Sequence, residues 1–314
     1  MASTQQSSNT TLLPLGQGPR VVLYHQTVHR DGRPVSLLPL VTEQTGVTHV
    51  IVAAIHLNEG PENITLNDDP PESEKYNTLW SEVAWLQATG VKVLGMLGGA
   101  AKGSFARLDG NDTARFESYY AVLHALIRRH SLNGLDLDIE EEMSLPGVIR
   151  LIDRLKSDFG PSFLITLAPV ATALVPNQPH LSGFSYAVLE AARGASIAWY
   201  NTQFYCGWGD ASTTLHYDVI ISCGWRPDKV VVGLVTNPAN GAGHVDRARM
   251  EDVLRVLRAK YPTFGGVMGW EYFNALPGDA ARPWEWAGHM ARTIRTAVPL
   301  PGVVDGGRGS RCRV

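Results

Sequence analysis

Cysteine is scarce in this chain: Cys206, Cys223 and Cys312 are the only three in 314 residues. An odd, sparse set argues against a disulfide framework and fits a reducing compartment. No CxxC pair occurs, so a structural zinc is not expected. A run of about 18 apolar residues is also missing, so no segment reads as a membrane span. Nor is there a basic excess. Lys and Arg number 27 against 30 Asp and Glu, for a formal charge of −3, which excludes a strongly basic nucleic-acid binder. The opening MASTQQSSNTT lacks the basic and apolar regions of a secretory signal. The expectation is a cytoplasmic protein, although a secreted chain already trimmed of its signal would read the same way. Acceptor motifs for N-glycosylation stand at Asn9, Asn63 and Asn111 but weigh little against that missing signal.

With 44% hydrophobic and 18% charged residues, a packed core is available and global disorder is excluded. Apolar, β-rich runs alternate with amphipathic stretches. Strands are expected at Val21–Thr27, Thr48–Asn58, Lys92–Gly99, Gly134–Glu140, Phe163–Pro169, Ser196–Tyr205, Lys229–Asn237 and Phe264–Asn274. Helices are expected at Tyr76–Thr89, Ala114–His130, Ser144–Phe159, Tyr186–Arg193, Tyr217–Cys223, Asp246–Tyr261 and Ala280–Thr296. Strands alternating with helices imply a parallel sheet, and eight of them imply an α/β fold of the (β/α)8 TIM-barrel type. A Rossmann-like sheet would need a glycine-rich phosphate loop after the first strand, and Tyr24-His25-Gln26-Thr27 is not one. The expected organisation is an extended segment 1–19, a catalytic barrel 20–297 and a flexible tail 298–314. Residues Glu59–Glu74 read as a long surface loop.

The chemistry concentrates in Asn133-Gly134-Leu135-Asp136-Leu137-Asp138-Ile139-Glu140. On a strand, alternate side chains share a face. Leu135, Leu137 and Ile139 then face the helices, and Asp136, Asp138 and Glu140 face the barrel interior. Three buried carboxylates are costly unless they share protons or hydrogen bonds. Burial beside neighbouring acids raises the pKa of some of them, and a carboxylic acid still protonated near neutrality can act as a general acid. Glu140 falls at the C-terminal end of its strand, where barrel enzymes keep their chemistry. Magnesium or calcium binding is the weaker reading, because no histidine stands nearby and spacing by two on one strand makes a stack rather than a cage.

The D-x-D-x-E pattern on a fourth barrel strand resembles glycoside hydrolase family 18. Three more segments agree in order: Leu94-Gly95-Met96-Leu97-Gly98-Gly99 on strand 3, Asn201-Thr202-Gln203-Phe204-Tyr205 on strand 6, and Gly265-Gly266-Val267-Met268-Gly269-Trp270 on strand 8. A finer resemblance, to the fungal endo-β-N-acetylglucosaminidases of that family, rests on Leu38–Glu43, Phe163–Ala171, Tyr200–Tyr205 and Trp270–Gly278. Two positions depart from the family pattern: Asn133 replaces an Asp common in the chitinases, and Cys206 follows Tyr205 where Asn or Asp is common.

The resemblance implies a retaining hydrolysis in which the substrate's own N-acetyl carbonyl is the nucleophile. Glu140 would be the acid and then the base. Asp138 would hold the acetamido N–H, and Asp136 would share a proton or hydrogen bond with Asp138. Tyr205 would donate to the acetamido oxygen, with Gln203 a second donor, and Trp270 would floor the sugar ring. Trp208 is a candidate for stacking on the glycan, and Gly98 and Gly99 for close backbone approach beneath the site. The implied substrate is an N-glycan or glycoprotein cut in its chitobiose core. A chitinase is the alternative, and an inactive sugar-binding lectin a distant third because Glu140 and Asp138 are both present. No cofactor, metal, nucleic-acid or membrane partner is implied. Glu141 and Glu142 read as solvated loop acids, with Glu141 near enough to touch a substrate. Glu271 reads as a structural partner, and His25, His49 and His56 as hydrogen-bonded strand residues without a role.

Overall fold

The computed structural model describes residues 18–296. The segments expected to be extended (1–19, apart from residues 18 and 19) and flexible (298–314) lie outside the described residues. Eight parallel strands close into a barrel: β1 Arg20–His25, β2 His49–Leu57, β3 Lys92–Gly98, β4 Gly134–Asp138, β5 Leu164–Leu167, β6 Trp199–Gln203, β7 Val230–Val235 and β8 Gly266–Trp270. Each pairs with its neighbours in sequence, and β1 pairs with both β2 and β8. The chain is therefore a single (β/α)8 TIM barrel.

Alternation along the strands sorts two cores. Val21 and Leu23 of β1 join the layer between barrel and helices, while Val22 and Tyr24 join a separate interior cluster. Ile51, Leu94, Trp199, Val231 and Met268 belong to that same interior cluster. Beneath it, the Arg20 guanidinium lies 4.6 Å from the centroid of the Trp199 ring.

Helices cover the outside: α1 Asn77–Ala88, α2 Thr113–Arg129, α3 Leu145–Phe159, α4 Tyr186–Arg193, α5 Leu215–Ser222, α6 Arg247–Lys260 and α7 Glu285–Arg295. The α3 sequence shows why. Ser144 caps it by accepting a hydrogen bond from the Gly147 N–H, and a proline sits in its first turn, where the missing N–H costs nothing. Val148, Leu151, Ile152 and Leu155 then fall at i, i+3, i+4 and i+7 and are all fully buried, each contributing about 1.5–3 kcal/mol. The α7 helix starts five residues later than the pattern predicts. Pro283 disfavours helical geometry at Arg282, which sits at φ −144°, ψ 55°, and only a short 3-10 turn at Asp279–Ala281 precedes it.

The first crossover carries only a four-residue helix, Pro39–Thr42. Residues Glu59–Glu74, expected as loop, contain a short strand at Ile64–Leu66 that pairs antiparallel with the end of β2. Strands β4 and β6 stop two residues short of their predicted ends. Glu140 and Tyr205 thus stand just beyond them, on the rim, with the inward parity kept.

Candidate active site

The interior acids are stacked by depth. Asp136 is fully buried and saturated with donors. Tyr24 donates its hydroxyl to Oδ2 at 2.7 Å, Asn201 donates Nδ2 to Oδ1 at 3.0 Å, and the Thr166 hydroxyl also donates to Oδ1. Burial pushes the Asp136 carboxyl up, and those three donors oppose the shift. No hydrogen bond joins Asp136 to Asp138 among the described residues, so the expected sharing is replaced by a cradle from β1, β5 and β6.

One step higher, Asp138 is 6% exposed. Burial first, then Glu140, then Asp136 drive its carboxyl well above the usual carboxylate range. Full ionisation of Asp138 beside Glu140 is therefore disfavoured in this site. Gln203 sits against both upper acids, donating Nε2 at 3.2 Å to Asp138 Oδ1, at 3.2 Å to Glu140 Oε1 and at 2.9 Å to the Ala168 carbonyl. Three acceptors compete for two N–H groups, so this amide orients the carboxylates and is not free to donate to a substrate without letting go of one.

Glu140, Asp138, Gln203, Tyr205, Trp208, Trp270, Gly98 and Gly99 all line one cavity of about 410 Å³ at the C-terminal end of the barrel. Asp136 lies beneath it. Tyr205 is buried, and burial with the nearby acids keeps its phenol well above its usual pKa. Among the described residues its hydroxyl has no hydrogen-bond partner, which leaves that donor available to a ligand. Trp270 is half-buried and packs on Tyr24, with ring centroids 5.5 Å apart. Trp208 is fixed through its backbone: its N–H donates to the Tyr205 carbonyl, and its own carbonyl accepts from the Thr172 N–H. Gly98 and Gly99 have φ of +92° and +90°. A Cβ on Gly98 would lie 2.6 Å from the Asp138 carbonyl oxygen and 2.4 Å from the Phe105 ring, so only glycine fits where β3 touches the acidic strand.

Several residues differ from their sequence reading. Glu141 is not a solvated acid: it is 8% exposed and accepts the N–H groups of Gly103 and Phe105 at 2.9 Å. These are donors at the start of the short helix Ser104–Leu108 that only an acceptor from elsewhere can satisfy. Among the described residues His25 has no hydrogen-bond partner on either ring nitrogen. It packs edge-on against Tyr272, and burial lowers its pKa to about 3, so it is a neutral core ring. His49 meets Thr48, in keeping with its reading. His56 lines the cavity together with Gln26 and Asn240, a position that strand periodicity alone did not mark as functional. Tyr24, Thr166 and Asn201 were missed as well, although Asn201 shares the alternating face of Gln203 and Tyr205. Glu271 is a structural partner as expected, accepting from the Gln26 and Thr27 N–H groups and the Thr27 hydroxyl.

Asn133 holds β3 to β4, accepting the Val93 N–H at 2.8 Å on its side chain. Cys206 is an exposed free thiol with φ +54° on the cavity wall. Among the described residues no group of three His, Cys, Asp or Glu is arranged to hold a metal ion.

Comparison with known proteins gives a consistent picture. A fungal family 18 endo-β-N-acetylglucosaminidase superposes with a TM-score of 0.85 at 48% identity, covering 88% of this chain and 98% of that one. A chitinase from Aspergillus fumigatus superposes with a TM-score of 0.81 at 58% identity, covering 88% and 99%. Chitinase D from Niallia circulans is 28% identical over 269 residues, 65% of this chain and 50% of its own length. The chain spans half or less of the length of the curated relatives it matches. The family description for glycosyl hydrolases family 18 matches residues 20–243, and with the barrel, the inward acids and this match the chain belongs to glycosyl hydrolases family 18.

Proposed function

We propose that this enzyme is an endo-β-N-acetylglucosaminidase, hydrolysing the GlcNAc-β1,4-GlcNAc bond of the N-glycan chitobiose core with retention of configuration. The observation that carries the reading is the upper acid pair: Asp138 and Glu140 flank one amide at the cavity mouth, with the Tyr205 hydroxyl, which has no partner among the described residues, beside them. Glu140 protonates the leaving oxygen as the sugar's acetamido carbonyl attacks C1 and the glycosidic bond breaks. The resulting oxazolinium carries positive charge spread onto its nitrogen. Asp138 accepts that N–H, and its stabilising effect grows as the charge develops, which is the condition for catalysis rather than mere binding. Tyr205 donates to the acetamido oxygen and fixes its approach to C1. Glu140, now a carboxylate, takes a proton from water as that water opens the ring at C1. Trp270 gives the ring a flat floor. Asp136, held by its three donors, fixes the electrostatic background of Asp138.

A chitinase is the second reading, and the 58% identity with the Aspergillus enzyme favours it. Against it stands the tryptophan distribution. Of eight tryptophans, Trp208 and Trp270 line the cavity, whereas Trp199 is in the barrel interior, Trp80 stacks on His130 and Trp225 donates to the Leu174 carbonyl. That leaves few aromatic platforms for a long polymer. Incubation with a high-mannose glycoprotein tests the proposal: mass spectrometry should find loss of the glycan minus one GlcNAc. Cleavage of chitin oligomers with no action on the glycoprotein would overturn it in favour of the chitinase.

A further inference from the structure

Two more cavities open beside the catalytic one, and they differ in chemistry. On the β1–β2 side a cavity of about 450 Å³ shares Gln26, His56 and Ala101 with the catalytic cavity and adds Asn67, Asp68 and Lys75. On the β5–β6 side a groove of about 310 Å³ shares Trp208 with it and is walled by Ala171, Val175, Leu215, Val219 and Ile220. The lining of this second groove is mostly apolar, and of its three polar residues, Thr172, Gln178 and His216, two are engaged within the protein. The Thr172 N–H and hydroxyl donate to the carbonyls of Trp208 and Pro179, and His216 Nδ1 accepts the Asp210 N–H. A sugar carries hydroxyls all round and loses hydrogen bonds to water on entering such a surface. The polar cavity suits a glycan; the groove beyond Trp208 does not.

We infer that the groove bounded by Trp208, Leu215 and Val219 is a subsite for the non-sugar part of the substrate, taking apolar side chains of the polypeptide that bears the glycan. The inference rests on the endoglycosidase reading and deepens it. In that reaction one GlcNAc stays on the polypeptide, so the substrate changes from sugar to peptide one ring beyond the scissile bond. Trp208, pinned through both of its backbone groups, stands where the cleft changes from polar to apolar, and an indole face suits that last ring. Leu215 and Val219 are 62% and 36% exposed. Spaced i, i+4, they share a face of α5. Exposed apolar side chains clustered next to a catalytic cavity mark a contact surface more than a solvated one.

The test compares one high-mannose glycan in two forms: attached to a peptide with leucines flanking the glycosylated Asn, and free with a chitobiose end. Wild-type kcat/KM should favour the peptide-linked form. The double variant L215Q/V219Q should lower that ratio roughly tenfold, the scale of losing apolar contacts in a specificity pocket, and L215M/V219I should keep it. Thermal melting of both variants establishes that they are folded. A wild-type ratio near one, or a ratio unchanged in a folded L215Q/V219Q, would overturn the inference. So would a dimer in sedimentation that this variant dissolves, because the groove would then hold a second copy of the chain. If neither glycan form is cut, the endoglycosidase reading fails by itself. The groove is then read with chitotriose carrying a methylumbelliferyl aglycon against chitotetraose: a tenfold lower aryl preference in L215Q/V219Q supports an apolar leaving-group subsite, and no change rejects it.

Discussion

Replacing Asp138 by Asn should abolish turnover and yet stabilise the protein, in a manner that depends on pH. Asp138 and Glu140 each accept from the same Gln203 nitrogen at 3.2 Å, so their bonded oxygens are at most twice that distance apart. Two full charges at ~6 Å repel by about 3 kcal/mol at an effective dielectric constant of ~20. Burial adds to the same penalty and is the larger cause of the raised Asp138 pKa. A carboxyl whose pKa is higher in the folded state holds a proton that the unfolded chain has released. Its contribution to stability is complete below the unfolded aspartate value, near ~3.9, and drains away as pH rises through the folded value. Asn at 138 can still accept from Gln203 but carries no such term. The D138N-minus-wild-type difference should therefore be near zero at pH 4 and reach about 3 kcal/mol or more by pH 8, or several degrees in Tm for a chain of this size. Differential scanning calorimetry at the two pH values reads it. A difference that is flat with pH, or largest at pH 4, would refute a raised Asp138 pKa in the folded protein.

Glu140→Gln should lower kcat by at least about a hundredfold, the scale of a lost general acid–base group, while calorimetry still detects binding of chito-oligosaccharide. Tyr24→Phe removes one of the three donors on buried Asp136 and should cost roughly 1–3 kcal/mol in urea unfolding; no loss would mean that the remaining donors suffice. Gly98→Ala places a methyl against the Phe105 ring and the Asp138 carbonyl at positive φ, and should destabilise by about 2 kcal/mol or more. Glu141→Ala leaves the Gly103 and Phe105 N–H groups without their acceptor and should cost roughly 1–3 kcal/mol, with hydrogen exchange accelerating at those two amides.

The barrel and the depth order of its acids were legible because both follow from periodicity. A strand with apolar residues on one face and acids on the other has one sensible placement, and Asp136, Asp138 and Glu140 occupy it. What supports them was harder to read. Tyr24, Thr166 and Asn201 come from strands 112, 30 and 65 residues away from Asp136 in sequence, and their convergence depends on barrel closure rather than on any local pattern. Glu141 was misread because a charge after a strand is ordinarily solvated, and its two partners lie on another connection, at the start of the short helix between β3 and α2. His56 escaped because strand parity does not say where a strand meets a cavity. Residues Ile64–Leu66 form a strand only because the end of β2 offers them an edge.

A crystal structure with a thiazoline analogue of the GlcNAc oxazolinium tests the central claim most directly. The account predicts the acetamido group held between Asp138 and Tyr205, the ring over Trp270, and Glu140 within hydrogen-bond distance of the β face at C1. A sugar seated with its acetamido group away from Asp138, or with Glu140 out of reach of C1, would contradict it.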